Sequence, residues 1–544
     1  MSFRGAILSE EYKEKGHLFS GMQILKGVVQ RKKMDDEARK LVVKELAEVV
    51  GPDNCTDNPA VLASYSLFPV VTPEIAVLPE SVEQVQGILR IANKRHVPVT
   101  PLASSTVSLS SGVFIPNGIA LDCSRMHRIL DINTDEAYAL IEPGVTYGQL
   151  CSALQAQGYW YPLGSFHYAV SVLGPTTTQN HGGRGYGGWD EVASFEVVLP
   201  DGTVVRTGGS MAPKGSWAHQ YVNFPDLHGL WLESNGLLGV ITKLAVRIYP
   251  KAESNQIHIA GFKDSRSAQE FVKRICRQGV ARHQVIFWWH GLTLFNHFAL
   301  LEKHKLDEVG TLPFEWIIRG RTPPNGVHYN TVVTELKGYR EVVEASAGVC
   351  DRVAREIGGE PIPWDEFGAK NPGLKSFLEE YGIKKQPQTP LVNLITKSMG
   401  AFSTIPIIWP GIGGPERILE LEEYFWKEMA LKKDMGVWFA YAHPFDQGRC
   451  FFSRIYIFRF GENQQRMLMD ALENADFNSR IVREFGCFPH KPPIFNLDAK
   501  MILDQTGGYG ELLKRIKEMI DPNNIMSPHV NPFADVPELP GLGK

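Results

Sequence analysis

Apolar positions along the first half of the chain change period repeatedly. In PESVEQVQGILRIANKRHVPVTPL (residues 79–102), Val82, Val85, Ile88, Leu89 and Ala92 recur at helical spacing, and Ser81 with Gln84 reads as a capping box. His96, Val97 and Pro98 close that helix and open a strand, VPVTPL. Further strands are predicted at GIALDC, AYALIEPG, SFEVVLPDGTVVRTGG and LGVITKLAVRIYP. The PDG at 200–202, between two β-branched runs, predicts a hairpin turn.

From about residue 255 to 485 the pattern shifts. Helices such as SAQEFVKRICRQG and YREVVEASAGVCDRVAREIG alternate with strands such as GVWFAYAHPF and CFFSRIYIFRF. This predicts an antiparallel sheet covered by helices, and an α+β fold overall. The tail, GELLKRIKEMIDPNNIMSPHVNPF, reads as an amphipathic helix stopped at Asp521-Pro522-Asn523-Asn524. No internal repeat and no low-complexity segment appears.

Composition narrows the class. With 544 residues, 43% hydrophobic and 21% charged, the chain reads as an ordinary soluble protein of several domains. A net charge of −4 gives no reason to expect nucleic acid as partner. The 7 cysteines are scattered without a C-x-x-C, which predicts reduced thiols and a cytoplasmic setting. No membrane span is expected: the most apolar stretch, 285–301, is interrupted by His290, Asn296 and His297. The N-terminal stretch has no apolar core of signal-peptide length. His219, His228 and the other histidines show no i, i+4 spacing, so no metal site is expected.

HGGRGYGGWD (181–190) satisfies G-x-G-x-x-G at Gly183, Gly185 and Gly188. A dinucleotide fingerprint needs a helix starting on the glycines and an acidic residue about twenty positions on. Here strand, turn and strand follow, so that reading fails. The upstream SVLGPTTTQNHGG suits a phosphate cradle, because glycines admit backbone N–H groups and hydroxyls add donors. TPLASSTVSLSSG (100–112), a strand end followed by serines, is another such loop and the first in chain order. Neither contains lysine, which predicts a pyrophosphate held by backbone and hydroxyl groups.

The order of the Ser-rich loop, IALDCSRMHRILDINTDEAYALIEPGVTYGQLCSAL, SVLGPTTTQNHGG, EVVLPDGTVVRTGG and NGLLGVITKLAVRIYP resembles the FAD-binding domain of the vanillyl-alcohol oxidase superfamily. The likeness runs over roughly residues 40–535 and is nearest to vanillyl-alcohol oxidase and the flavoprotein of 4-cresol methylhydroxylase. It implies an N-terminal extension (1–35), an FAD-binding domain (36–255), a cap (256–485) and a segment returning to the FAD domain (486–544). It also implies FAD contacts at Pro101, Ala103, Ser104, Ser105, Thr106, Val107 and Ser108 in the first loop. Ser171, Gly174, Thr177, Thr178, Gly182 and Gly183 would line the cofactor, with Gly239, Val240 and Ile241 beside it.

Departures from the family sharpen this. Ser108, and Phe488 with Pro489, stand where the phenol-oxidising members carry the phenolate-binding tyrosines and arginine. Phe402 stands near the position of the histidine that tethers the flavin, so FAD is expected without a covalent bond. Candidate catalytic residues are His167 and Tyr168 just before SVLG, and His490 in PHKPP. In the cap, alternation puts Tyr441 and His443 on one strand face, and Arg454 and Tyr456 on one face of the returning strand. The expected activity is hydride transfer from a small, largely apolar or aromatic alcohol or activated C–H substrate to flavin N5. Alternatives are a phenol oxidase or methylhydroxylase with a rearranged phenolate site, a non-redox FAD transferase of the alkyl-dihydroxyacetonephosphate synthase type, and an electron-transfer subunit. A cytochrome or other electron acceptor and a second copy of the chain are the expected partners.

Overall fold

The computed structural model describes residues 33–65, 72–103, 117–162, 169–178, 189–281, 283–293, 296, 321–379, 412–429, 435–459, 480–489, 502–528 and 531–533. Among these residues, helix α1 (Asp36–Val50) starts at Asp35, whose Oδ1 accepts the Ala38 N–H at 2.7 Å. A further helix, α2 (Val82–Arg95), buries Val85, Ile88, Leu89 and Ala92, the apolar stripe of the sequence. Ser81 Oγ accepts the Gln84 N–H at 3.3 Å. The reciprocal arm differs from expectation, since Gln84 Oε1 accepts from Glu80 N rather than Ser81 N.

The two helices cover a sheet of β1 (Cys55–Thr56), β2 (Ile75–Val77), β3 (Val99–Leu102) and β4 (Ile119–Asp122), ordered β1-β2-β4-β3. β4 lies parallel to both β2 and β3, which leaves β3 at the edge.

Next in the chain come β5 (Ile129–Asn133), β6 (Tyr138–Ile141), α3 (Tyr147–Gln155), β7 (Tyr159–Trp160) and α4 (Leu173–Thr178). They are followed by β8 (Val192–Val198), β9 (Val204–Arg206), β10 (Val240–Arg247) and β11 (Tyr249–Pro250). The second sheet is antiparallel, ordered β5-β6-β10-β8-β9, and β7 pairs separately with β11. A complete capping box of Thr146 and Gln149 starts α3. The predicted PDG hairpin joins β8 to β9, with Gly202 at φ +86°. Val198 and Val240 pack into the core of the first sheet, fastening the two sheets together.

The third sheet contains β12 (Ser254–Phe262), β13 (His283–Trp288), β14 (Asn330–Gly338), β15 (Glu360–Pro361), β16 (Ile412–Gly413), β17 (Met435–Phe445) and β18 (Cys450–Arg459). All its pairings are antiparallel, in the order β15-β12-β14-β13-β17-β18-β16. One face packs on α5 (Ser265–Arg277), α6 (Arg340–Glu356) and α7 (Pro415–Tyr424) around Phe262, Phe271, Trp288, Val332, Leu421 and Phe451. A last helix, α8 (Gly508–Ile520), leads a segment that returns to β3, where Met526 bridges Val99. The mixed architecture with helix-covered antiparallel sheet is the one the sequence predicts.

All seven cysteines are free thiols. Burial pushes Cys276, Cys350 and Cys487 up to about 12. Among the described residues no helix is long and apolar enough to cross a membrane, and no cluster of His, Cys, Asp and Glu is set to hold a metal ion.

Candidate functional site

Three segments distant in sequence meet at the carboxyl end of β3. In open sheets, ligands gather beyond the carboxyl ends of parallel strands. Pro101 stands in β3 opposite Leu121, and Ala103 follows the strand, leading toward the Ser-rich loop. The second segment is the turn after Trp231, where Glu233, Asn235 and Gly236 all have positive φ. A Cβ on Gly236 would fall 2.4 Å from Pro101 Cγ and 2.9 Å from Ser527 Oγ. Only glycine permits that approach. The third segment is the returning tail, whose Ser527 N–H donates to Val99 O at 2.8 Å.

The same turn is tied to the second phosphate-loop candidate. Glu233 N donates to the carbonyl of Thr177, near the end of α4, at 2.7 Å. Ser171, which is buried, forms a bridge to Thr146. Thr177 Oγ1 donates to Leu173 O at 2.8 Å, and Thr178 closes the helix. Among the described residues, a Cβ on Gly174 would meet only Ser171 Oγ, at 3.6 Å, an ordinary contact. Gly239 answers a different demand. At φ +139°, its Cβ would lie 2.6 Å from Val198 O, so the glycine lets β10 close onto β8. Val240 and Ile241 then pair with Val198 and Val197.

The fit to FAD is testable on this corner. Ser527 Oγ and Asn235 Oδ1 are both buried and have no hydrogen-bond partner among the described residues. An unsatisfied buried polar group costs about 1–3 kcal/mol, and native folds leave few without a reason. A ligand rich in hydroxyl and phosphate oxygens supplies both missing partners. The residues fit the group.

On the third sheet, the face away from the helices is aromatic. Tyr441 lies opposite Phe287 on one side and Arg454 on the other. Its ring is 6.3 Å from Phe287 and 5.1 Å from His443. His443 stacks on Phe452, with centroids 5.1 Å apart, and Phe445 adjoins both. Tyr441 and His443 are buried. The register extends this row, since His443 pairs with Phe452, Phe452 with Ile412, and Ile412 bridges Phe488. The Phe488-Pro489 segment therefore lies on the same sheet, three strand spacings from His443. Arg454 stands in the register beside Tyr441, while Tyr456 pairs with Trp438 further along the hairpin.

Other expected site residues, His167, Tyr168, His490, Ser104, Ser105, Thr106, Val107, Ser108, Gly182 and Gly183, lie outside the described residues, as does Phe402. Sequence reasoning missed Asn235, Gly236 and Ser527. Their only signal is turn-forming composition, in SNG and in NNIMSP, which marks bends without saying what they meet.

Comparison with known proteins agrees with this geometry. Residues 73–208 match the FAD binding domain family. Glycolate oxidase subunit GlcD of Bacillus subtilis is 30% identical over 244 residues, covering 43% of this chain and 50% of that protein. The chain thus spans about half the length of that relative. The 4-cresol dehydrogenase [hydroxylating] flavoprotein subunit of Pseudomonas putida is 24% identical over 517 residues, covering 89% of this chain and 94% of its own. The crystal structure of p-cresol methylhydroxylase with substrate bound superposes with a TM-score of 0.74 at 18% identity, covering 92% of this chain and 98% of that one, and so shares the fold. Residues 73–208 thus form an FAD binding domain, in a chain that shares the fold of p-cresol methylhydroxylase and has FAD as its cofactor.

Proposed function

We propose that this flavoprotein oxidises a small, largely apolar or aromatic substrate at an alcohol or activated C–H carbon. Bound FAD supplies the hydride acceptor. The observation that carries the reading is the buried aromatic face of the cap, where Phe287, Tyr441, His443, Phe445 and Phe452 adjoin one another. Such a wall excludes water and favours a flat apolar substrate. Within it Tyr441 and His443 are the polar groups able to orient a substrate hydroxyl, and His443 is the side chain suited to accept its proton. Arg454, opposite Tyr441 in the register, is assigned to the same site. His167, Tyr168 and His490 are assigned to it from the sequence.

In the phosphate-binding half, Pro101, Ala103, Ser171, Gly174, Thr177 and Thr178 belong to the segments that would hold FAD, with Gly239, Val240 and Ile241 packing beside them. Phe402 at the expected tether position supports binding without a covalent bond. A cytochrome or other carrier is the proposed electron acceptor, and a homo-oligomer the proposed assembly.

The test is anaerobic flavin bleaching against two panels, benzylic and allylic alcohols with 4-alkylphenols in one and short 2-hydroxy acids in the other. Reduction by the first panel is expected. Reduction only by hydroxy acids would overturn the substrate class, and no reduction by either would overturn the redox reading.

A further inference from the structure

We propose that Ser527 and Asn235 are direct FAD contacts, held in place by the buried Lys517–Asp521 pair acting as a positioning device. The inference rests on the FAD assignment above and concerns residues that neither the phosphate loops nor the cap supply.

Ser527 is fully buried, and its hydroxyl has no hydrogen-bond partner among the described residues. It also adopts φ +41°, a left-handed conformation that a non-glycine residue holds only when its surroundings require it. Asn235 repeats both features. Its φ is +50°, and its Oδ1 is buried and unpartnered while its Nδ2 donates to Glu233 O at 2.8 Å. The two residues flank Gly236, whose hydrogen faces both Pro101 and Ser527 Oγ. A spare donor and a spare acceptor thus lie on the two segments that meet Pro101 at the carboxyl end of β3. A hydroxyl suits a phosphate oxygen, and an amide oxygen suits a sugar hydroxyl, so the sugar-phosphate part of FAD satisfies both.

The turn and the tail are joined through one ammonium group. Lys517 Nζ donates to Leu237 O at 2.9 Å on the turn and to Met526 O at 3.1 Å on the tail, and it pairs with Asp521. Asp521 in turn accepts the N–H groups of Ile525 at 3.0 Å and Met526 at 2.8 Å. Lys517 and Asp521 are 3% and 2% exposed, so this i, i+4 pair is no solvated surface bridge. Its geometry sets the position of Ser527 relative to Asn235.

The experiment is FAD titration of apoprotein by fluorescence quenching, with the thermal midpoint of each apoprotein measured in parallel. Ser527→Ala and Asn235→Ala are each expected to weaken FAD binding about tenfold, the usual weight of one hydrogen bond to a charged or buried partner. Their apoproteins should melt no lower than wild type, because each substitution removes an unsatisfied polar atom. Lys517→Met is expected to weaken binding too, and the Lys517→Met/Ser527→Ala double variant should bind no worse than Lys517→Met alone. FAD affinities of both alanine variants within twofold of wild type would overturn the contacts, and additive losses in the double variant would overturn the positioning role. Failure of wild-type apoprotein to bind FAD would instead overturn the cofactor assignment itself.

Discussion

Replacing His228 by phenylalanine should flatten the acid limb of stability. His228 is fully buried, its ring stacked on Phe195 of β8 with centroids 4.5 Å apart. Its Nδ1 meets Thr207 Oγ1 at 3.2 Å, and its Nε2 has no partner among the described residues. Burial, helped by Arg247 and opposed by Asp226, pushes the imidazole from 6.5 down to about 4. The unfolded chain therefore takes up a proton near pH 6.5 that the folded protein refuses until about pH 4. Stability contributed by the neutral ring is present above 6.5 and is lost as pH falls through that window, about 3 kcal/mol in all. Phenylalanine preserves the stack and cannot titrate. It leaves the Thr207 hydroxyl without its imidazole partner, at about 1 kcal/mol. His228→Phe should thus be about 1 kcal/mol less stable than wild type near neutral pH and about 2 kcal/mol more stable near pH 4. Urea unfolding followed by circular dichroism, with wild type and variant compared between about pH 7.5 and about pH 4, reads the difference. Parallel stability curves across that range would refute the reasoning.

Glu422, buried on α7, accepts hydrogen bonds from Tyr329, Ser265 and Trp288, and its pKa is raised above 4.5 by burial against the lowering effect of those donors. Its effect has the opposite sign, since stability is lost as pH rises from 4.5 through the raised value; Glu422→Gln should remove that slope, and equal slopes in thermal melts would count against it. Gly239→Ala should destabilise by at least about 2 kcal/mol, because φ +139° and the Val198 carbonyl at 2.6 Å both exclude a Cβ; an unchanged melting temperature would show that β8 yields. FAD at a thousandfold excess over its dissociation constant should stabilise the apoprotein by about 4 kcal/mol, and identical apo and holo melting curves would contradict the cradle at β3. Acid precipitation should release the flavin into the supernatant; yellow colour retained in the washed pellet would show a covalent bond.

Local signals in the sequence were sufficient for individual elements. The stripe of Val85, Ile88, Leu89 and Ala92 gives α2, and the glycine of PDG supplies the positive φ that the β8–β9 turn needs. Strict alternation puts Tyr441 and His443 on one face whatever the sheet's surroundings. Partners were a different matter. Periodicity records which side of an element is apolar, and it carries no address for the element that covers that side. Thus β10 enters between β6 and β8, and β4 between β2 and β3, by closure of distant segments. Gln84 has the composition of a capping box, yet its side chain reaches Glu80 N, a choice made by local packing rather than residue type. In sequence, Lys517 is one lysine of an amphipathic helix and Asp521 the start of its stop. They become a buried clasp only because the tail returns to β3 and the turn at Leu237 closes over them. Ser527 and Asn235 are single polar residues in bends, without a period to betray them. Burial without a partner is what marks them, and burial is a property of the assembled fold.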